Sequence, residues 1–204
     1  MELPKRKSYV SPEEFLEIRR TSEVPLEYMD GVVYERGEGL PPGPTFFPGN
    51  SRAHGLLVAA LAVHVINALG DKPGVTSIGI SVKAGSSVVV PDLIVYHNPG
   101  NFTEEGEALT DPVVIFEVLS DWTERQDHCT KWTAYQQVAS LKHYVLIWQS
   151  EPIIEIYTRR AEGGWHYRSA SGPESNVYLS GIDLTLALAD IFKRVDFAAP
   201  ETTT

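Results

Sequence analysis

Two short stretches decide the reading of this chain: Val88-Val89-Val90-Pro91-Asp92-Leu93-Ile94-Val95-Tyr96 and Val113-Val114-Ile115-Phe116-Glu117-Val118-Leu119. Both are apolar at consecutive positions, so neither shows the alternation of a strand with one wet face. Such runs mark strands covered on both sides by other elements. A single carboxylate interrupts each run, Asp92 in the first and Glu117 in the second. A carboxylate in those surroundings is unfavourable unless it is paired, hydrogen-bonded or bound to a cation. One such residue reads as a strand-end accident or half of a core ion pair; two in successive strands are harder to dismiss. Spacing alone leaves a functional acidic pair and a structural one both open.

Strand periodicity places positions 113, 115, 117 and 119 on one face. A helix is expected over 124–139, where four-residue spacing lines up Asp127, Lys131 and Tyr135 on one stripe. That stripe is either an ordinary Asp–Lys surface pair with an anchoring tyrosine, or a cation folded back over the Glu117 strand. Upstream, Ser11-Pro12-Glu13-Glu14 carries a capping box and a proline at the first helical position. Asp30-Gly31 marks a hairpin turn within 26–35. Segment 37–49 has four prolines and four glycines and reads as a loop. Asn50 or Ser51 then caps a long apolar helix running to Leu69 and ended by Gly70. Strands are expected at 75–82, 88–96, 113–119, 143–148, 153–159 and 165–169, and a short helix at 182–192. The order predicts an α/β fold, a mixed sheet with helices packed on it. A single domain spans 1–204, with its core over 10–195 and a tail at 196–204.

Seventeen basic against twenty-seven acidic residues give a net charge of -10, which argues against broad, non-specific attraction to nucleic acid. The basic groups Lys5-Arg6-Lys7 and Arg159-Arg160 read first as solvated surface. With Cys129 as the one cysteine, an intramolecular disulfide is impossible and a reducing cytoplasm is the expected setting. The N-terminus lacks the apolar core of a signal peptide, and no apolar run approaches the roughly 18 residues of a membrane span. His54 and His64 lie roughly 15 Å apart along one helix, and adjacent His128 and Cys129 point about 100° apart; neither pair is a metal site. His54 reads first as a solvent-facing residue at a helix start. Trp122, Trp132, Trp148 and Trp165 read as core or rim packing.

Taken in order, Pro91-Asp92, Glu117-Val118-Leu119-Ser120 and Asp127-x-x-x-Lys131-x-x-x-Tyr135 resemble the Uma-type putative restriction endonuclease family, a bacterial family of the PD-(D/E)XK nuclease superfamily. Leu26-Glu27-Tyr28-Met29-Asp30-Gly31 resembles the family's early hairpin. Arg52-Ala53-His54-Gly55 resembles the start of its long helix, and Lys142-His143-Tyr144-Val145-Leu146-Ile147 the strand after its catalytic helix. The resemblance implies a restriction-endonuclease-like mixed β-sheet flanked by helices, with extra antiparallel hairpins. It implies Asp92, Glu117 and the backbone carbonyl of Val118 as ligands of Mg²⁺ or Mn²⁺, an oxygen set that suits hard cations. The superfamily's usual lysine, two residues after the glutamate, is Leu119 here. Within the family that role passes to the helix, which makes Lys131 the third catalytic residue, able to orient or deprotonate the attacking water or offset phosphate charge. Glu27 stands where some superfamily members bring an auxiliary acid to the metal. Asp127, Tyr135 and His54 are supporting residues by the same likeness.

Three functions compete on these grounds. The leading one is a metal-dependent DNA endonuclease that hydrolyses phosphodiesters with a metal-activated water and no covalent intermediate. The second is a non-catalytic nucleic-acid- or protein-binding module with a degenerate site, favoured by the net charge and by Leu119. The third, a glycosidase dyad, lacks an aromatic-lined sugar cleft and leaves Lys131 without a role. Strands near 153–169 read as a sheet edge that a second copy would cover, which gives a homodimer as the expected assembly.

Overall fold

Pro91 divides what the sequence presents as one strand. The computed structural model describes residues 9–24, 26–29, 31–35, 51–70, 75–97, 99–104, 106, 108–119, 124 and 126–197. In chain order the elements are α1 (Pro12–Thr21), β1 (Leu26–Met29), β2 (Val32–Glu35), α2 (Arg52–Leu69), β3 (Val75–Ser77), β4 (Ser81–Ala84), β5 (Ser87–Val89), β6 (Leu93–Tyr96), β7 (Ala108–Leu109) and β8 (Pro112–Leu119). A π-helix (Gln126–Lys131) runs into α3 (Trp132–Tyr135), followed by β9 (His143–Trp148), β10 (Ile153–Arg159), β11 (Trp165–Ser171), β12 (Asn176–Leu179), β13 (Leu184–Ala187) and α4 (Leu188–Ile191). The fold is mixed α/β. A six-stranded sheet has the order β11-β10-β9-β8-β6-β3, a five-stranded sheet the order β2-β1-β5-β4-β7, and β12-β13 stand as a pair.

The main sheet is mixed because β8 and β9 run parallel while β6–β8, β9–β10 and β10–β11 are antiparallel. Its central strand β8 is buried at all eight positions, as the unbroken apolar run requires. On one face lie α2, α4 and the β12–β13 hairpin, whose Leu57, Leu61, Val65, Leu186 and Ile191 pack against Val114, Phe116, Val145 and Ile147. On the other face α3 and the turn after it contribute Tyr135, Val138 and Leu141 against Ile115, Leu119, Tyr144 and Leu146. The buried positions of α2 are His54, Leu57, Leu61, Ala62, Val65 and Leu69, and all but Ala62 follow the three- and four-residue steps of an inward stripe. Among the described residues α2 is the one helix whose length and mean hydropathy of 1.5 would suffice to cross a membrane. That inward stripe is part of the main core.

The helix starts match their sequence signals. Ser11 caps α1 in a complete capping box with Glu14, and the Ser51 side chain accepts from the His54 N–H at the start of α2. β1 and β2 pair as the expected hairpin, with Gly31 before β2 at φ 86, while Asp30 lies outside the described residues. The loop expected over 37–49 and the basic Lys5-Arg6-Lys7 group lie outside the described residues.

Three elements differ from expectation. The stretch 88–96 is two strands in two sheets: proline has no N–H to continue a ladder, so β5 stays with the smaller sheet and β6 begins afresh in the larger. The stretch 75–82 likewise splits into β3 and β4, around Gly79 at φ 75. The helix expected over 182–192 is strand in its first part, β13 over Leu184–Ala187, and helical only over Leu188–Ile191. Leu184 and Leu186 are buried in alternation with exposed residues, a period-two pattern that a short apolar run conceals.

His143, at the start of β9, ties this hairpin down. Its Nε2 accepts the Gly181 N–H at 2.9 Å, and its Nδ1 lies 3.1 Å from Thr158 Oγ1. The ring must be neutral to accept at Nε2. Burial, with the nearby Arg168 charge, depresses its pKa to about 4. Between that value and the ordinary 6.5 the unfolded chain binds the extra proton, so stability falls as pH drops through this window. The full difference corresponds to about 3 kcal/mol. Urea unfolding of the wild type should therefore lose more stability from neutral to mildly acidic pH than that of His143→Gln; equal losses would contradict the assignment.

Candidate active site

The register of the main sheet places the two acids. Leu93 pairs with Phe116 and Ile94 with Ile115 in the antiparallel β6–β8 ladder. Continuing that register by one residue sets Asp92 directly opposite Glu117. At this point the backbone ladder has stopped, and the Asp92 side chain replaces it: Oδ2 accepts the Val118 N–H at 2.8 Å. In an extended strand a residue's N–H and C=O point toward the same neighbour, so the Val118 carbonyl is also directed to the Asp92 side. Pro91 thus has a local purpose. By ending the ladder it leaves a backbone donor for the carboxylate and opens the end of β8 to the acids.

Lys131 comes from the π-helix on the face that carries Glu117. Its Nζ is 3.0 Å from Glu117 Oε1 and 3.0 Å from Asp127 Oδ1. Tyr135 donates its hydroxyl to the same Glu117 oxygen at 3.0 Å. The stripe predicted from four-residue spacing therefore exists, although its first part is a π-helix and not the regular helix expected over 124–139. The surface-pair reading of Asp127 and Lys131 is overturned, since Glu117 and Asp127 are 1% exposed and Lys131 3%. The π-helix is itself anchored, because the buried Tyr144 hydroxyl donates to the Asp127 carbonyl at 3.1 Å. Burial, then the charges of Asp127, Glu117 and Asp92, push the Tyr144 phenol well above its ordinary pKa. Three carboxylates thus act on one spot.

His54 reaches this cluster from the other face. Its Nε2 lies 3.2 Å from Asp92 Oδ2, and the residue is buried, so the expected solvent-facing histidine is corrected. The first turn of α2 is held in place by Ser51, which donates to Gln149 Oε1 at 2.6 Å just beyond β9. Glu27 lies in β1, paired with Tyr34 in the smaller sheet; the placement of its side chain lies outside the described residues, as does Trp122.

The donor set suits a hard divalent cation. Among the described residues no three His, Cys, Asp or Glu side chains gather as a metal cage. Mg²⁺ and Mn²⁺ need less from the protein, since one or two carboxylates with a carbonyl and several waters suffice. Asp92, Glu117 and the Val118 carbonyl supply that number, and the surrounding negative charge favours a cation.

A third acid, absent from the sequence-based candidates, sits inside an apolar strand. Glu155 lies between Ile154 and Ile156 in β10 and is buried, so the pattern that singles out Asp92 and Glu117 singles it out too. It accepts from Trp148 Nε1 at 2.9 Å and contacts His128 Nε2 at 3.0 Å. A cavity of about 340 Å³, lined by His97, Lys142, His143 and Arg159 among others, lies at the opposite end of β6, β8 and β9. It takes no part in the acid cluster. Arg159 is committed structurally, donating to the carbonyls of Gln136, Val138 and Leu141.

Removing Lys131 alone would strand two buried carboxylates. Lys131→Met should lower stability by about 3–5 kcal/mol at neutral pH, and adding Glu117→Gln should recover part of the loss in urea unfolding. A loss below about 1 kcal/mol, the size of an exposed pair, would contradict this burial.

The comparisons agree with this geometry at the level of family and fold. A solved structure from Anabaena variabilis, described as a putative nuclease belonging to DUF820, superimposes with a TM-score of 0.70 at 17% identity, over 90% of this chain and 98% of its own. An uncharacterized protein from Synechocystis is 26% identical over 194 residues, covering 92% of this chain and 94% of its own length. The family model described as "Uma2: Putative restriction endonuclease" matches residues 12–189. The chain with Asp92 set against Glu117 belongs to the Uma2 family.

Proposed function

We propose that the chain is a divalent-metal-dependent DNA endonuclease, with Asp92, Glu117 and Lys131 as its catalytic residues. One observation carries the proposal: Asp92 and Glu117 face each other at the end of a ladder, buried, with the Val118 amide on Asp92 and the Lys131 ammonium on Glu117. Membership of a restriction-endonuclease-like family supports both nucleic acid as the partner and a divalent metal as the cofactor.

Asp92, Glu117 and the Val118 carbonyl would hold Mg²⁺ or Mn²⁺, which when bound would supply an activated water and neutralise phosphate charge. The chain's own residues do the rest. Lys131 Nζ, fixed between Glu117 and Asp127, is a positioned donor that orients the attacking water or stabilises the charge developing on a non-bridging oxygen. Tyr135 fixes the Glu117 oxygen that Lys131 also contacts, and His54 holds Asp92 from the opposite face. Cutting both strands of a duplex calls for two such sites. The outer edge of β11 in the main sheet is where a second copy would pair, so a homodimer is part of the same proposal.

The second reading, a binding module without catalysis, is favoured by one feature: the Lys131–Glu117 pair is already neutral on its own. On that reading Glu117→Gln leaves stability unchanged or improved and no condition yields cleavage.

The test is incubation of the purified chain with supercoiled and linear DNA in Mg²⁺ or Mn²⁺. Cleavage should require the metal, vanish in Asp92→Ala and Glu117→Ala, and fall by about 10²–10⁴-fold in Lys131→Ala. Cleavage by Asp92→Ala at the wild-type rate would refute the assignment.

A further inference from the structure

The π-helix that carries Lys131 is held to the sheet by a side chain outside the catalytic set. His128 Nδ1 lies 3.0 Å from the Glu124 carbonyl oxygen and its Nε2 lies 3.0 Å from Glu155 Oε2. One partner is a backbone carbonyl oxygen and the other a carboxylate oxygen, so both are acceptors. A neutral imidazole carries one N–H and one lone pair, so it satisfies only one of these contacts and sets a lone pair against an oxygen at the other. The doubly protonated ring satisfies both.

We infer that His128, as an imidazolium clamped between Glu124 and Glu155, is a positioning residue that holds the π-helix in the geometry from which Lys131 reaches Glu117.

The structure gives the clamp a rigid base. Glu155 is buried on β10 and its other oxygen accepts from Trp148 Nε1 at 2.9 Å, so it is fixed before His128 arrives. The His128 ring also packs near the Trp148 indole, with centroids 6.1 Å apart. One residue before His128, the Asp127 carbonyl is held by Tyr144, and three residues after it comes Lys131. The segment is therefore pinned to β9 and to β10 at successive residues, and the β10 pin is the one that titrates. Among the described residues, the charged groups facing His128 are Glu155 from β10 and Glu124 from its own segment. Burial lowers the His128 pKa, but hydrogen bonds to Glu155 and Glu124 and their charges outweigh it, leaving the pKa raised. A histidine with a raised folded pKa contributes stability that is complete below its unfolded pKa and is lost as pH rises through the folded one. The clamp is thus closed below the raised His128 pKa and loosens as pH rises through it.

This inference rests on the proposed catalytic role of Lys131, and its test separates the two. Hydrogen exchange of the full-length chain is followed at residues 126–131 as protection factors relative to β8, over about pH 6 to 9. The wild type should lose about tenfold protection in this segment as His128 deprotonates, the size expected for a charge-assisted hydrogen bond. The midpoint should coincide with the His128 imidazole titration read by NMR and should shift down in Glu155→Gln. His128→Gln should show the reduced protection at every pH. If the chain cleaves DNA, its rate should fall along an alkaline limb with the same midpoint, and that limb should move in Glu155→Gln while KM stays constant. A flat protection profile across the His128 titration, or an imidazole with an unraised pKa, would overturn the clamp whether or not DNA is cut. A pH-dependent profile without cleavage would uphold the clamp and count against the nuclease reading alone.

Discussion

The site depends on how an acid is kept at the dry end of a sheet. Glu117 is almost wholly buried between two apolar layers, and a lone carboxylate there would be strongly unfavourable. Two contacts make it tolerable: Lys131 supplies a full charge and Tyr135 a hydroxyl. The facing Asp92, a like charge, is held separately by the Val118 amide and His54. Each element around the cluster is placed to deliver one of these groups. The first turn of α2 brings His54, the π-helix brings Lys131 and Asp127, and the break at Pro91 turns Asp92 toward β8. Two apolar faces enclose a polar centre, which concentrates charge where a divalent ion and a phosphate would be received.

Such a buried charge network is weak evidence for stability. A well-packed apolar cluster of the same volume would commonly be as stable or more so. Its persistence in this sequence is more easily understood through chemistry than through folding. The same consideration separates the acid cluster from His143, which is also buried and polar but is satisfied as a neutral ring by Gly181 and Thr158. Its task is to fasten a hairpin.

Much of this was legible in the residues. The apolar character of 113–119 on both sides of Glu117 implied a strand buried on both faces, and Glu117 there and Asp92 in 88–96 are the acids that the structure sets opposite each other. The four-residue spacing of Asp127, Lys131 and Tyr135 gave one stripe, in which Lys131 and Tyr135 reach one Glu117 oxygen and Asp127 pairs with Lys131. What the sequence hid were features set by tertiary contact. Nothing local shows that 88–96 feeds two sheets, although Pro91 was the available clue. Leu184 and Leu186 fit a helix or a strand equally until their partners Leu179 and Val177 are known. His54 resembled a surface residue because its burial depends on Asp92, distant in sequence. The His128–Glu155 contact joins residues 27 positions apart, beyond the reach of any spacing rule, although Glu155 alone could have been flagged as an acid inside an apolar strand.

The central claim is that Asp92 and Glu117 converge as the oxygen ligands of one cation. It is tested most directly by Mn²⁺ binding to the full-length chain, followed by electron paramagnetic resonance in the absence of DNA. The wild type should bind about one ion per chain, and binding should weaken at least tenfold in Asp92→Asn and in Glu117→Gln, with folding confirmed for each. Undiminished Mn²⁺ binding by either variant, or none by the wild type, would contradict the account.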